Sequence, residues 1–141
     1  MSKAVAAALR DMGHRNGLIV ARNEAKGRPL AERYGVSWAA SEDGFPAAPI
    51  VNATPLGMKG PDAEALAFSQ RVVAAADVVF DVVALPVETP LMQFALRDGK
   101  RRISGADVAV PQALEQFALY TGIRPGPELV EEAATFARTA S

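Results

Sequence analysis

The chain contains no cysteine, which excludes disulfides, thiolate metal sites and a cysteine nucleophile. Its single histidine, His14, argues against a histidine-built zinc site and against a Ser-His-Asp triad, and it reads as a surface loop residue. Neither sign of charge is in excess: the net charge is −1 and the isoelectric point about 5.8, so there is no basic footprint for nucleic acid or an acidic membrane. No apolar run approaches the ~20 residues that a membrane span needs. The N-terminus shows no charged region, apolar core and cleavage site of a secretory signal. These absences lead us to expect a cytoplasmic protein with neither a nucleic-acid nor a membrane partner. With 141 residues, 50% of them hydrophobic, one globular domain spanning 1–141 is the default.

What is present alternates between helical and strand patterns. Residues 2–12 are strong helix formers stopped by Gly13, and residues 17–21 are a short apolar run of strand type. Glu24 to Tyr34 has helical spacing with Leu30, Ala31 and Tyr34 on one side; Gly27 and Pro29 weaken its first turn and Gly35 ends it. Residues 36–39 form a second strand candidate in which Trp38 reads as a packing anchor, with ligand stacking as the minor alternative. A loop with Gly44, Pro46 and Pro49 follows. Residues 63–76 are mixed and turn helical towards their end. Residues 77–83 carry the strongest strand signal, nearly continuous Val and Phe, as expected of a strand buried on both faces. Thr89 can cap, and Pro90 begin, a helix that runs to Asp98 and stops at Gly99.

The basic run Lys100-Arg101-Arg102 reads as a solvated loop before an edge strand at 103–105. Residues 106–121 are a long helix with apolar Val108, Leu114, Phe117, Ala118 and Leu119, in which Pro111 must kink the chain or fall in the first turn. In a last helix from Glu128 to about Ala137, Glu128, Glu131 and Glu132 are more simply a solvated face than paired acid/base carboxylates. The C-terminal helices thus occupy 106–139. Strands alternating with helices predict an α/β fold with a parallel sheet and right-handed crossovers.

The stretch Ile50-Val51-Asn52-Ala53-Thr54-Pro55-Leu56-Gly57-Met58 is the centre of the pattern. Two β-branched residues run into a small polar cluster, and Pro55 holds Thr54 extended. In an open parallel sheet, ligands sit at such carboxyl-end loops, where Asn52 and Thr54 would offer an amide and a hydroxyl.

Three segments, taken together, resemble the nucleotide-binding C-terminal half of the shikimate/quinate dehydrogenases. Residues 50–58 look like that family's N-A-T-P-x-G-M loop, and residues 80–91 like its D-x-x-Y-x-P-x-x-T-P-L segment. Residues 105–122, with Gln112, Glu115, Phe117 and Tyr120, look like its closing helix. The resemblance covers residues 1–139 and is nearest to the shikimate dehydrogenase-like branch. It implies a Rossmann-like parallel sheet with flanking helices, NADP as cofactor, and a place in aromatic amino-acid biosynthesis. Arg22 and Lys26 match the family's grip on the adenosine 2′-phosphate, with Asn23 adding a hydrogen bond. Asn52, Ala53 and Thr54 match residues lining the dinucleotide; Val82, Gly105 and Val108 match positions towards the nicotinamide. Gln112 matches the glutamine that bonds hydroxyls of a cyclic hydroxy acid, although a neutral surface glutamine is the alternative. Ala84 stands where the family has tyrosine, so shikimate or a related cyclic hydroxy acid is the implied substrate.

Two features of the family have no counterpart: the Gly-rich turn with its preceding first strand, and the domain that supplies the catalytic Lys and Asp. We therefore expect a truncated dinucleotide-binding domain that does not catalyse alone, with no catalytic residue and no metal ligand of its own. A fold without its central first strand leaves neighbouring strands unpaired. The alternative reading is a non-catalytic nucleotide-binding or sheet-completing module that pairs with another chain or forms a homo-oligomer.

Overall fold

The computed structural model describes residues 1–44 and 48–139. The chain divides into two compact units, Met1–Pro46 and Ala47–Ser141. Pro46, expected in the loop before the central strand, lies outside the described residues.

The first unit runs α1 (Ser2–Asp11), β1 (Leu18–Val20), α2 (Glu24–Tyr34) and β2 (Ser37–Ala39). Strands β1 and β2 are parallel, with Ile19 opposite Trp38, and the Ala21 N–H extends the pairing by donating to the Ala39 carbonyl at 3.0 Å. Asn23 caps α2 by accepting a hydrogen bond from the Lys26 N–H, and Gly35 ends the helix in the left-handed region at φ 68°. Helix α2 continues through Gly27 and Pro29, which the sequence marks as weak points. At Gly27 the reason is room: a Cβ there would lie 2.4 Å from the Trp38 Nε1. Ala31 is the buried apolar residue of this unit.

The second unit runs β3 (Ile50–Asn52), α3 (Gln70–Ala75), β4 (Val78–Asp81), α4 (Pro90–Arg97), β5 (Arg101–Ser104), α5 (Gly105–Thr121) and α6 (Pro127–Thr139). Its three strands form a parallel sheet in the order β3-β4-β5. Val73, Ala76, Val79, Leu91 and Ala95 make the core, drawn from α3 and its C-cap, β4 and α4, with Phe68 and Phe94 packed against it. Thr89 caps α4 as its position before Pro90 requires.

The element order agrees with the alternation read from the sequence, and all strand pairs are parallel. Among the described residues β1 pairs with β2 alone and β3 with β4 alone.

Two local expectations need correction, on β4 and on the basic run. Strand β4 is buried on one face only: Val79 and Asp81 are inside, whereas Val78 and Phe80 are half-buried, because α3 and α4 cover a single face. Two residues of the basic run, Arg101 and Arg102, are in β5 and not in a loop, and Lys100 directly precedes the strand. Arg102 is held there by Glu88 at 2.8 Å and by the Met92 carbonyl, and Lys100 donates to the Ala74 carbonyl. Pro111 falls beyond the first turn, inside α5. Of the apolar residues on α5, Leu114 and Ala118 are half-buried, while Val108, Phe117 and Leu119 are exposed.

Candidate functional site

Two groups of the expected residues stand at the carboxyl ends of strands, one group in each unit. In the first unit, Arg22 and Asn23 follow β1 directly, and Lys26 lies in the first turn of α2. All three are exposed. Asn23 uses its side-chain oxygen on the Lys26 N–H at 3.2 Å, which leaves its amide N–H groups to donate outward. Glu24 is the anion that could neutralise this cluster. It pairs instead with Arg28 one turn on, at 2.7 Å, so its charge is drawn along the helix. Two cations beside the first turn of α2, with the local carboxylate engaged elsewhere, suit a phosphate.

In the second unit, Asn52, Asp81 and Ser104 occupy one row across the sheet, each the register partner of the next. They are 1%, 0% and 4% exposed, so the carboxyl edge of the sheet is a buried polar line. Asn52 donates from its amide to Asp81 Oδ1 at 3.0 Å and to the Leu56 carbonyl at 3.2 Å. Its oxygen accepts from the Thr54 N–H at 3.0 Å and from the Thr54 hydroxyl at 2.6 Å. An asparagine side chain has two donors and an acceptor with two lone pairs, and all are occupied. The amide expected to face a ligand is therefore internal, because burial beside a carboxyl group and a tight loop left it no solvent-facing bond to make. It shapes the loop, in which Thr54, Pro55 and Met58 are exposed.

Asp81 is the hub of this row. Its Oδ1 also accepts the Val83 N–H at 3.1 Å, and its Oδ2 accepts the Thr89 hydroxyl at 2.6 Å. One carboxyl group thereby ties the β3 loop, the β4 loop and the start of α4. The sequence reading missed this role, although a signal existed: an aspartate inside a run of Val and Phe in the best strand is rarely buried without partners. Ser104 and Asp107 form a reciprocal capping box, Asp107 accepting from the Ser104 N–H at 2.8 Å and hydroxyl at 2.7 Å.

The remaining candidates lie around this row. Ala53, Val82 and Ala84 are half-buried in the loops after β3 and β4, and Val108 is exposed in the first turns of α5. Gly105 is buried because α5 begins against the β4 loop: a Cβ on it would stand 2.5 Å from the Val82 carbonyl oxygen. Gln112 is exposed on α5, where it lines an open groove of about 620 Å³ with Glu115, Gln116, Leu119 and Arg124. Among the described residues, no group of His, Cys, Asp and Glu could hold a metal ion, and no helix is long and apolar enough to cross a membrane.

In that groove, Glu115 and Arg124 form a two-point ion pair with both contacts at 2.9 Å. The hydrogen bond from Arg124, then its charge, holds the Glu115 carboxyl below its usual value, and Glu115 raises Arg124 in return. A lowered folded-state value means that the pair's contribution is present above the ordinary glutamate range and is lost as pH falls through the lowered value. We expect an NMR titration of the Glu115 carboxyl to show a midpoint below that range, and Arg124→Gln to restore it. Equal midpoints in the two proteins would mean that the pair does not form in solution.

No family model matches the chain. A shikimate dehydrogenase-like protein of Haemophilus influenzae is 49% identical over 140 residues, covering 99% of this chain and 52% of the relative. This chain is homologous to the shikimate dehydrogenase-like proteins. It spans about half the length of the relatives it matches. The solved structure of a shikimate 5-dehydrogenase-like protein superposes with a TM-score of 0.92 at 48% identity, over 98% of this chain and 52% of that one. The shikimate 5-dehydrogenase of Thermus thermophilus, solved with NADP(H) and shikimate, gives a TM-score of 0.79 at 29% identity over 95% of this chain and 50% of that one. Parallel strands with flanking helices are thus those of the shikimate dehydrogenase Rossmann-like domains.

Proposed function

We propose that the chain is the NADP-binding part of a shikimate dehydrogenase-like oxidoreductase. The observation that carries this reading is the turn after β1. There Arg22 and Lys26 stand exposed beside the capped start of α2, while Glu24 is engaged by Arg28. A guanidinium and an ammonium group select a ribose 2′-phosphate, where an acidic residue would select the free 2′-hydroxyl. Asn23 adds a donor to the same phosphate.

In the second unit, Asn52 and Thr54 hold the β3 loop in shape, and Ala53 and Thr54 present it to the dinucleotide. Val82, Gly105 and Val108 line the nicotinamide end, where small and aliphatic groups permit close approach of a flat ring. The bound dinucleotide supplies a hydride donor or acceptor for the complete protein, acting on shikimate or a related cyclic hydroxy acid. Gln112 bonds hydroxyls of that acid, and Ala84 leaves room where a bulkier side chain would restrict it.

The second reading, a non-catalytic module that completes its sheet with another chain, draws on the separate two- and three-stranded sheets. One titration separates the two. We expect NADPH to bind, NADH to bind more weakly, and Arg22→Ala to weaken NADPH about ten- to a hundredfold while leaving NADH unchanged, as loss of a charge-assisted phosphate contact predicts. Absence of any NADPH binding would remove cofactor recognition from this chain and leave the second reading.

A further inference from the structure

We propose that Trp38 is a positioning residue for the phosphate-binding turn, setting where Arg22 and Lys26 stand. The proposal rests on the reading of that turn as a 2′-phosphate site and adds a residue to it.

Trp38 lies in β2 opposite Ile19 of β1, and its indole touches the turn on both sides of the two cations. On the near side, the indole N–H donates to the Ala21 carbonyl at 3.1 Å, the residue just before Arg22. On the far side, the indole edge presses on the backbone of Gly27, the residue just after Lys26. A Cβ on Gly27 would meet Nε1, Cδ1 at 2.6 Å and the Ala21 Cβ at 2.8 Å, so only glycine lets helix, ring and strand end come together. Over the ring face, the Arg28 guanidinium sits 4.7 Å from the centroid and is held by Glu24. One rigid side chain therefore fixes Ala21, Gly27 and Arg28, and the segment between them carries the whole cationic cluster. Held on both flanks, the two cationic stems start from fixed points, and a phosphate meets them with less ordering left to do.

A residue that served only as a core anchor would change stability when replaced and weaken all ligands alike. A positioning residue changes the discrimination between ligands that differ only in the 2′-phosphate. The probes are 2′,5′-ADP and 5′-AMP, titrated calorimetrically into the full chain. We expect the wild type to prefer 2′,5′-ADP. Trp38→Phe keeps a ring for Arg28 and removes the donor; it is expected to weaken 2′,5′-ADP about three- to tenfold, the range of one hydrogen bond, and to leave 5′-AMP within about twofold. Gly27→Ala, which pushes the indole away and keeps its N–H, is expected to narrow the preference at least as much. Folded variants that both keep the wild-type preference would overturn the role of Trp38 and leave the phosphate site standing. A wild type that binds the two probes equally, or neither, would overturn the phosphate site and this proposal with it. Should the variants fail to fold, the emission of the wild-type protein decides, since Trp38 is its only tryptophan. A spectral shift with saturating 2′,5′-ADP and none with 5′-AMP supports the proposal, and an unchanged spectrum with bound 2′,5′-ADP opposes it.

Discussion

Replacing Asp81 with alanine is expected to destabilise the folded second unit by about 3–5 kcal/mol, the tail of the single-mutation range. The side chain is 0% exposed and accepts from three donors on three segments: the Asn52 amide, the Val83 N–H and the Thr89 hydroxyl. Truncation leaves these donors buried without acceptors, at roughly 1–3 kcal/mol each before any water enters. The damage would spread along the chain, since Asn52 holds Thr54 and Leu56, and Thr89 accepts the Met92 N–H at the start of α4. Asp81→Asn is the informative companion. The Asn52 and Val83 bonds both end on Oδ1, which an amide oxygen replaces. The bond to Thr89 ends on Oδ2, where an NH₂ would face a hydroxyl that must turn its proton away. A loss of only about 1–2 kcal/mol is expected for this variant. Urea unfolding should be followed by circular dichroism, because the only tryptophan lies in the first unit. A loss below about 1 kcal/mol for Asp81→Ala would mean that the three donors find other partners and that the row is not cooperative.

The elements were legible because each had a local cause. The Val and Phe run made β4, Thr89 with Pro90 started α4, and Gly35 and Gly122 stopped α2 and α5 in left-handed geometry at φ 68° and 71°. The site was legible at the level of which loops matter and less so in what each side chain does. Asn52 shows why. Sequence displays its capacity for four hydrogen bonds, whereas the acceptors of its two amide protons lie four residues away at Leu56 and 29 away at Asp81. Arg102 shows the same limit: a basic run looks solvated until Glu88, 14 residues earlier, is folded against it. Exposure of Phe117 and Leu119 on α5 is likewise invisible in the sequence, because an apolar side chain states a preference for burial without naming its cover. Conversely, Gly27 looked like a defect in a helix until the Trp38 indole accounted for it.

Gly105→Ala sets two local rules against each other, and clearance decides between them. Alanine is the better helix former, by roughly 0.5–1 kcal/mol, so propensity alone predicts a gain at the start of α5. The backbone of Gly105 needs no left-handed geometry, so no conformational penalty opposes it. What opposes it is contact: the new Cβ would lie 2.5 Å from the Val82 oxygen and 2.6 Å from both the carbon and the oxygen of the Val83 carbonyl. These are backbone atoms of the loop that Asp81 and Asn52 already pin, through the Val83 N–H and the bond from the Val82 N–H to the Asn52 carbonyl. They cannot rotate aside as a side-chain tip could. The helix must therefore back away from the sheet edge and disturb the Ser104–Asp107 cap, at an overpacking cost that outweighs the propensity gain. We expect a net loss of about 2–3 kcal/mol in urea unfolding and weaker binding of NADPH, with the heavier effect on the nicotinamide end. Binding of 2′,5′-ADP, which lacks that end, should persist unchanged. A gain in stability would show that α5 can shift freely, and Gly105 would then owe its place to something other than close backbone approach.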